Sequence, residues 1–184
     1  MISRRRALFC SSVALLASTI GSAPGVAGSA GEINAGVSAT LDRVYRQIPG
    51  TRDLSGRAAG VLVFPTVVKA GMGIGGEYGE GALRVAGKTA GYYNTISASV
   101  GLQLGAQARS VVIMFMTPDA LASFQRTDGW KIGVDGSVAL ITVGAGGSID
   151  SDKITNPIVG FILDNKGLMY NLTLEGSKIS RISR

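Results

Sequence analysis

The stretch VVKAGMGIGGEY, from Val67 to Tyr78, places Gly71, Gly73 and Gly75 at every second residue. In a strand that spacing puts all three on one face and leaves a flat groove where another backbone, a ring or an acyl chain can lie close. Each glycine in a strand interior costs about 0.5 to 1 kcal/mol relative to alanine, so three in line point to something packed there. The same residues spell G-x-G-x-x-G through Gly71, Gly73 and Gly76, after the apolar run Val61 to Phe64. A dinucleotide site needs a helix to begin at that point, and an acidic residue about 20 positions on. The chain instead continues as EYGEGALRV, which reads as a turn and a second strand, and the window around Gly91 holds no carboxylate. The reading is therefore β, without a nucleotide site.

Outward from this stretch the chain stays mostly β. Val61 to Phe64, Val67 to Gly75 and Ala82 to Val85 read as strands, the last two joined by a turn over Glu77 to Gly81. From Thr95 to Ala108, Ile96, Ala98, Val100, Leu102, Leu104, Ala106 and Ala108 alternate with small or polar residues, and Gly101 or Gly105 marks a bend. Val111 to Met116 is an unbroken apolar run, the pattern of a buried central strand. Thr117-Pro118-Asp119 supplies an N-cap, a first-turn proline and an acidic first turn, predicting a helix over Thr117 to Arg126 that Asp128-Gly129 stops. Strands are expected at Trp130 to Val134 and Ser137 to Val143 about an Asp135-Gly136 turn, and at Phe161 to Asp164 and Leu168 to Leu174 about Asn165-Lys166-Gly167. Between these pairs, Gly144 to Asp152 reads as a surface loop. Its GAGGS lacks the strand, helix and lysine of a phosphate loop.

Ahead of the strands, Ile33, Val37, Leu41, Val44 and Ile48 fall on one face of a helix over Glu32 to Ile48, ended by Pro49-Gly50. These elements compose an α+β domain: a curved antiparallel sheet or partly closed barrel with an N-terminal amphipathic helix and a short helix near 117–126.

The first 27 residues read as an export signal. Arg4, Arg5 and Arg6 precede the apolar segment Ala7 to Ile20, and Ala23, Ala27 and Ala30 offer small-residue cleavage points. The segment is too short for a stable bilayer anchor. Ser3 to Leu8 also resembles a twin-arginine signal, with Ala7 in place of the usual bulky residue. Cys10 is read as lost with the signal. About 155 residues then remain, one domain over 28–184, and the expected destination is the periplasm or the outside, with the outer membrane as a further place of association.

Without Arg4, Arg5 and Arg6, the 18 basic residues become 15 against 12 acidic ones, so the net charge falls from +6 to +3. That charge suits weak attraction to anionic membrane surfaces. It falls short of a nucleic-acid footprint, which also needs a basic stripe or interleaved aromatics.

The chain contains no histidine, and no cysteine beyond Cys10, which excludes Ser-His-Asp and Cys-His catalysis, standard zinc sites and disulfide frameworks. Carboxylate pairs and serine-lysine dyads remain. Glu77 with Glu80, and Asp150 with Asp152, can each be drawn as acid and base or as cation ligands, yet turns select such residues anyway. The expectation is a non-catalytic protein without metal or cofactor.

Four blocks carry a resemblance: GVLVFPTVVKAGMGIGGEYGEGALR, GYYNTISASVGLQLGAQARSVVIMFMT, GWKIGVDGSVAL and GFILDNKGLMYNLTLEGSKI. In this order, over about residues 32 to 182, the chain resembles the SYLF domain family. Eukaryotic members bind phosphoinositide-containing membranes and, in some fungal proteins, actin filaments; bacterial members are exported single domains commonly described as lipid-binding. The resemblance implies a membrane-lipid module whose first helix contacts the bilayer, with Arg43 and Arg46 as phosphate contacts and Lys69, beside Gly71, Gly73 and Gly75, as the next candidate. Two functions are then open. One is an exported module binding phospholipids or an anionic membrane surface. The other is a structural or interaction protein whose exposed strand edges bind an envelope or host protein.

Overall fold

The expected first helix runs Ala30–Gln47 (α1). Ser29 caps it: its hydroxyl accepts from the Glu32 N–H at 3.2 Å, while the Glu32 carboxylate accepts from the Ser29 N–H at 2.7 Å. Such a cap contributes about 1 kcal/mol. Ile33, Val37 and Val44 are buried along the predicted face, with Ile48 just past its end. Pro49-Gly50 ends this helix but starts another that the sequence reading missed, Thr51–Arg57 (α2). Gly50 there takes φ +91°, and the Thr51 hydroxyl donates to the Ile48 carbonyl at 2.7 Å.

The computed structural model describes residues 28–101, 107–141, 149–150, 152, 154–164, 167–168, 174 and 176–184; at 70–74, 99–101, 107, 164 and 167–168 it describes the strand backbone alone. Among these residues eight strands form one curled sheet, a half-barrel with α1 on its outer side. The α+β reading therefore holds.

One strand, Gly60–Val85 (β1), replaces the three strands and the Glu77–Gly81 turn expected from the sequence. The interruption between Phe64 and Val67 is a bulge, and the hairpin turn is Ala86-Gly87, both at positive φ (48° and 76°) between the paired Val85 and Lys88. That pair of angles is the two-residue turn whose twist suits a hairpin. Lys88–Gly101 (β2) and Gln107–Phe115 (β3) flank β1 on either side, with Lys88 opposite Val85 and Phe115 opposite Gly60. The expected Thr95 to Ala108 strand is thus divided: Ala108 belongs to β3, opposite Val68, and 102–106 lie outside the described residues.

This long ribbon curls until its two halves touch. A Cβ on Gly81 would lie 2.0 Å from the Val63 carbonyl oxygen, and one on Gly79 would lie 2.8 Å from that of Thr66. The glycines that suggested a turn therefore serve a close backbone approach inside a strand.

The helix at Pro118–Arg126 (α3) matches its prediction, with the Thr117 hydroxyl accepting from the Ala120 N–H at 3.2 Å. Among the described residues the expected Trp130–Val134 and Ser137–Val143 hairpin does not form. Trp130–Lys131 (β4) pairs with Lys178–Ile182 (β8), a strand the sequence reading missed, whereas Ala139–Leu140 (β5) runs parallel to Ile158–Asp164 (β6). Asp135 instead folds back locally, its carboxylate accepting from the Lys131 N–H at 2.7 Å. The last expected hairpin is present between β6 and Gly167–Leu168 (β7); Asn165 and Lys166 lie outside the described residues, as does most of the Gly144 to Asp152 loop. The sheet order is β4-β8-β2-β1-β3-β6-β5, with β7 on β6.

Alternation along the strands divides the core in two. Leu62, Phe64, Leu83, Val111, Ile113 and Phe115 face inward, where α3, Trp130 and Ile179 meet them. Val61, Val63, Ala82, Val112, Met114 and Phe161 face outward beneath α1 and α2. The central run Val111 to Phe115 is buried on both faces, as its unbroken apolar sequence predicts.

Candidate functional site

A groove of about 400 Å³ lies between α1 and the bulge of β1, lined among others by Gly36, Arg43, Arg46, Pro65, Arg109 and Ser110. Its geometry begins with two small features. A Cβ on Gly36 would stand 3.0 Å from the Pro65 ring, so α1 crosses β1 closely at that point. The bulge then takes Pro65 and Thr66 out of register with β3, because the ladder passes from Phe64 opposite Val111 to Val67 opposite Arg109. Ser110, 4% exposed, fills the interruption by donating its hydroxyl to the Pro65 carbonyl at 2.6 Å. Arg43 reaches down from α1 and donates to the Ser110 hydroxyl, also at 2.6 Å.

Arg109 lines the groove too, and it is ion-paired with Glu77 at side-chain exposures of 13% and 9%. Glu77 has no place at a turn. It is buried on the inner face of the sheet, beside a small cavity shared with Thr95 and Ser177. The groove lining includes three arginines and no carboxylate. Arg43 Nε and Arg109 Nε are both buried without a hydrogen-bond partner among the described residues. A buried donor left unmade costs about 1–3 kcal/mol, so Arg43, with no carboxylate in the groove lining, favours an incoming anion, whereas the charge of Arg109 is already met by Glu77.

Of the residues named from the sequence, Arg43 and Arg46 come together in this groove, Arg46 exposed at its side. Lys69 does not line it; it lies further along β1, opposite Gln107. Gly71, Gly73 and Gly75 are in β1, with Gly73 opposite Gly101 and Gly75 opposite Ser99. What faces Gly71 and Gly73 lies outside the described residues. Sequence reasoning missed Arg109 and Ser110. Only the interruption Pro65-Thr66 in an apolar strand hinted that something across the sheet must compensate there.

Glu80 occupies the opposite face of β1 from Glu77, so the drawn acid–base pair is not a pair. Its carboxylate accepts from the Tyr78 hydroxyl at 2.6 Å and from the Gly28 N–H at 3.0 Å, and it is ion-paired with Arg184. Burial works to raise its pKa, but the Tyr78 hydroxyl, Arg184 and the Gly28 N–H together hold it below the ordinary carboxylate value of 4.5. For Tyr78, burial first and then its bond to Glu80 push the phenol above 10.0. Asp152 is exposed and bonded to Arg57 at 2.7 Å. Among the described residues no three His, Cys, Asp or Glu side chains gather, and no helix is long and apolar enough to cross a membrane.

Three apolar side chains are exposed on the outward face that α1 only partly covers. Tyr78 and Ile96 are 47% and 50% exposed and directly paired across β1 and β2, and Val68, 41% exposed, is paired with the groove residue Ala108.

A comparison with curated proteins finds no match. Residues 96–183 match the model of a family described as "Ysc84: Las17-binding protein actin regulator". The matched span takes in Arg109 and Ser110, while α1 and β1 precede it. Over that span, from the second half of β2 through β3 to β8 and α3, the chain is similar to the Ysc84, or SYLF-domain, family.

Proposed function

We propose that this protein is an exported, non-catalytic module that binds anionic phospholipid surfaces. The observation that carries the reading is the groove lined by Arg43 and Arg46 without a carboxylate, where the buried Arg43 Nε–H has no partner among the described residues. A guanidinium offers planar, forked donors that match a phosphate, and those donors count for more where water is excluded. Val68, Tyr78 and Ile96 supply apolar contacts on the same face of the sheet. Arginine heads with adjacent apolar side chains are the combination an interfacial protein uses. Export and location in the periplasm or beyond rest on the N-terminal arginines and the apolar segment behind them.

Sedimentation of residues 28–184 with vesicles of phosphatidylcholine alone or with phosphatidylglycerol tests this reading. Binding is expected only to the anionic vesicles and weaker at physiological than at low salt. An Arg43→Glu, Arg46→Glu double substitution is expected to weaken it by at least about tenfold, since each basic residue near such a surface contributes about 1 kcal/mol. Arg46→Glu alone gives a partial loss without disturbing the Arg43–Ser110 bond. Failure to bind any vesicle rejects the reading.

The family's description favours a second reading, a protein partner, since it names Las17 binding and actin regulation. Among the described residues strand addition has little to extend, because the end strands β4 and β5 are two residues each there. Binding of such a partner that survives high salt and the double substitution would favour it.

A further inference from the structure

Glu80 ties together residues 104 positions apart on one side and 52 on the other. One of its carboxylate oxygens, Oε1, takes the Tyr78 hydroxyl and Arg184. The other, Oε2, accepts from the Gly28 N–H, and the Glu80 side chain is 10% exposed. Gly28 is seated tightly. A Cβ there would lie 3.3 Å from Ile33 Cγ1 and 3.5 Å from Oε2 itself, so glycine suits the position best. The capping box of α1 begins at the next residue, Ser29. A carboxylate oxygen held this closely meets an ordinary peptide N–H, where an ammonium would be the stronger partner.

We infer that the chain is hydrolysed between Ala27 and Gly28, and that the α-ammonium so formed on Gly28 docks on Glu80 Oε2, completing a clasp in which one carboxylate holds the new N-terminus and Arg184. A processing peptidase adds water across that peptide bond, leaving a carboxylate on Ala27 and the ammonium on Gly28. Gly25 and Ala27 supply small residues three and one positions before the cut. The neighbouring small-residue points fit less well. Cleavage after Ala30 removes the Ser29 cap, and cleavage after Ala23 leaves four residues ahead of Gly28 and no ammonium at Oε2. The inference rests on the export reading, and it adds a structural consequence of maturation.

The new ammonium faces Glu80, with Arg184 opposing it and the Tyr78 phenol neutral at neutral pH. Its pKa in the folded chain is raised by the carboxylate. The stabilisation is therefore fully present below the unfolded value of about 8 and is lost as pH rises through the folded value.

The full chain is expressed in an export-competent bacterial host and its intact mass measured. The expected product starts at Gly28. Thermal unfolding at pH 7 then compares it with a chain retaining 24–27, each with Glu80 and with Glu80→Gln. The cleaved chain is expected to melt about 2–4 °C above the extended one, a difference that disappears in Glu80→Gln and narrows above about pH 9. A start at another residue, or a difference that persists in Glu80→Gln, overturns the inference while leaving export standing. An uncleaved chain overturns both.

Discussion

The two sides of the curled sheet are held by different chemistry. Inside, Phe124 from α3 stands within 5.0 Å of Tyr93, 4.8 Å of Phe115 and 5.5 Å of Trp130, ring centre to ring centre, edge-on to the last. A buried ion pair, Glu77 with Arg109, lies on the same side. Outside, α1 covers the sheet with aliphatic side chains, and next to it, at the backbone interruption of Pro65, Arg43 keeps an Nε–H without a partner among the described residues. The inner side is closed by contacts between aromatic rings far apart in sequence. The outer side carries the unfinished hydrogen bonding, and so carries the candidate site.

Phe124→Ala is the sharpest way to break the inner side, since it removes the ring that all three others touch. A loss of about 3–5 kcal/mol is expected by urea unfolding. The truncation to alanine on the outer side, Ile33→Ala, is expected to cost less, about 2–3 kcal/mol. Equal losses would mean that the aromatic cluster is not the anchor. Gly81→Ala tests the contact between the halves of the ribbon. Its methyl group would meet the Val63 carbonyl, so about 1–3 kcal/mol is expected, whereas Gly76→Ala, whose nearest neighbour would be 3.7 Å away, is expected to be close to neutral for packing. The smallest effect is at Glu80. Its folded pKa is lowered, so its contribution is present above the unfolded value of 4.5 and lost as pH falls through the lower folded one. Glu80→Gln is expected to flatten the acid limb of thermal stability below that value and to leave the Phe124→Ala effect unchanged.

What the sequence made legible was local. The apolar face of α1 shows in a spacing of three and four, the Thr117 cap of α3 in three consecutive residues, and the central position of β3 in an unbroken apolar run. What it hid was non-local. Glu77 to Gly81 has the composition of a turn, yet Gly79 and Gly81 answer to Thr66 and Val63, whose approach is set by the curl of the whole ribbon. Half of the groove was legible, because Arg43 and Arg46 lie on an amphipathic helix that the family resemblance marks. Ser110, 67 residues from Arg43, and Arg109, 32 from Glu77, were not, because nothing in a strand's own pattern names its partner across the sheet.

Ala86-Gly87 governs more of the molecule than its two residues suggest. Every pairing between β1 and β2, from Val85–Lys88 to Gly73–Gly101, is counted outward from that turn, and an irregularity at Leu83–Arg84 corrects the count on the way. On the other flank of β1, the bulge at Phe64–Val67 does the same for the pairing with β3. A strand shifted by one residue turns each side chain to the other face. One residue inserted at the turn would therefore be an error copied along β2, sending Tyr93 toward solvent and Ile96 toward the core. The two irregularities are the places where such an error could be absorbed, and the one at Pro65 is also the floor of the arginine groove.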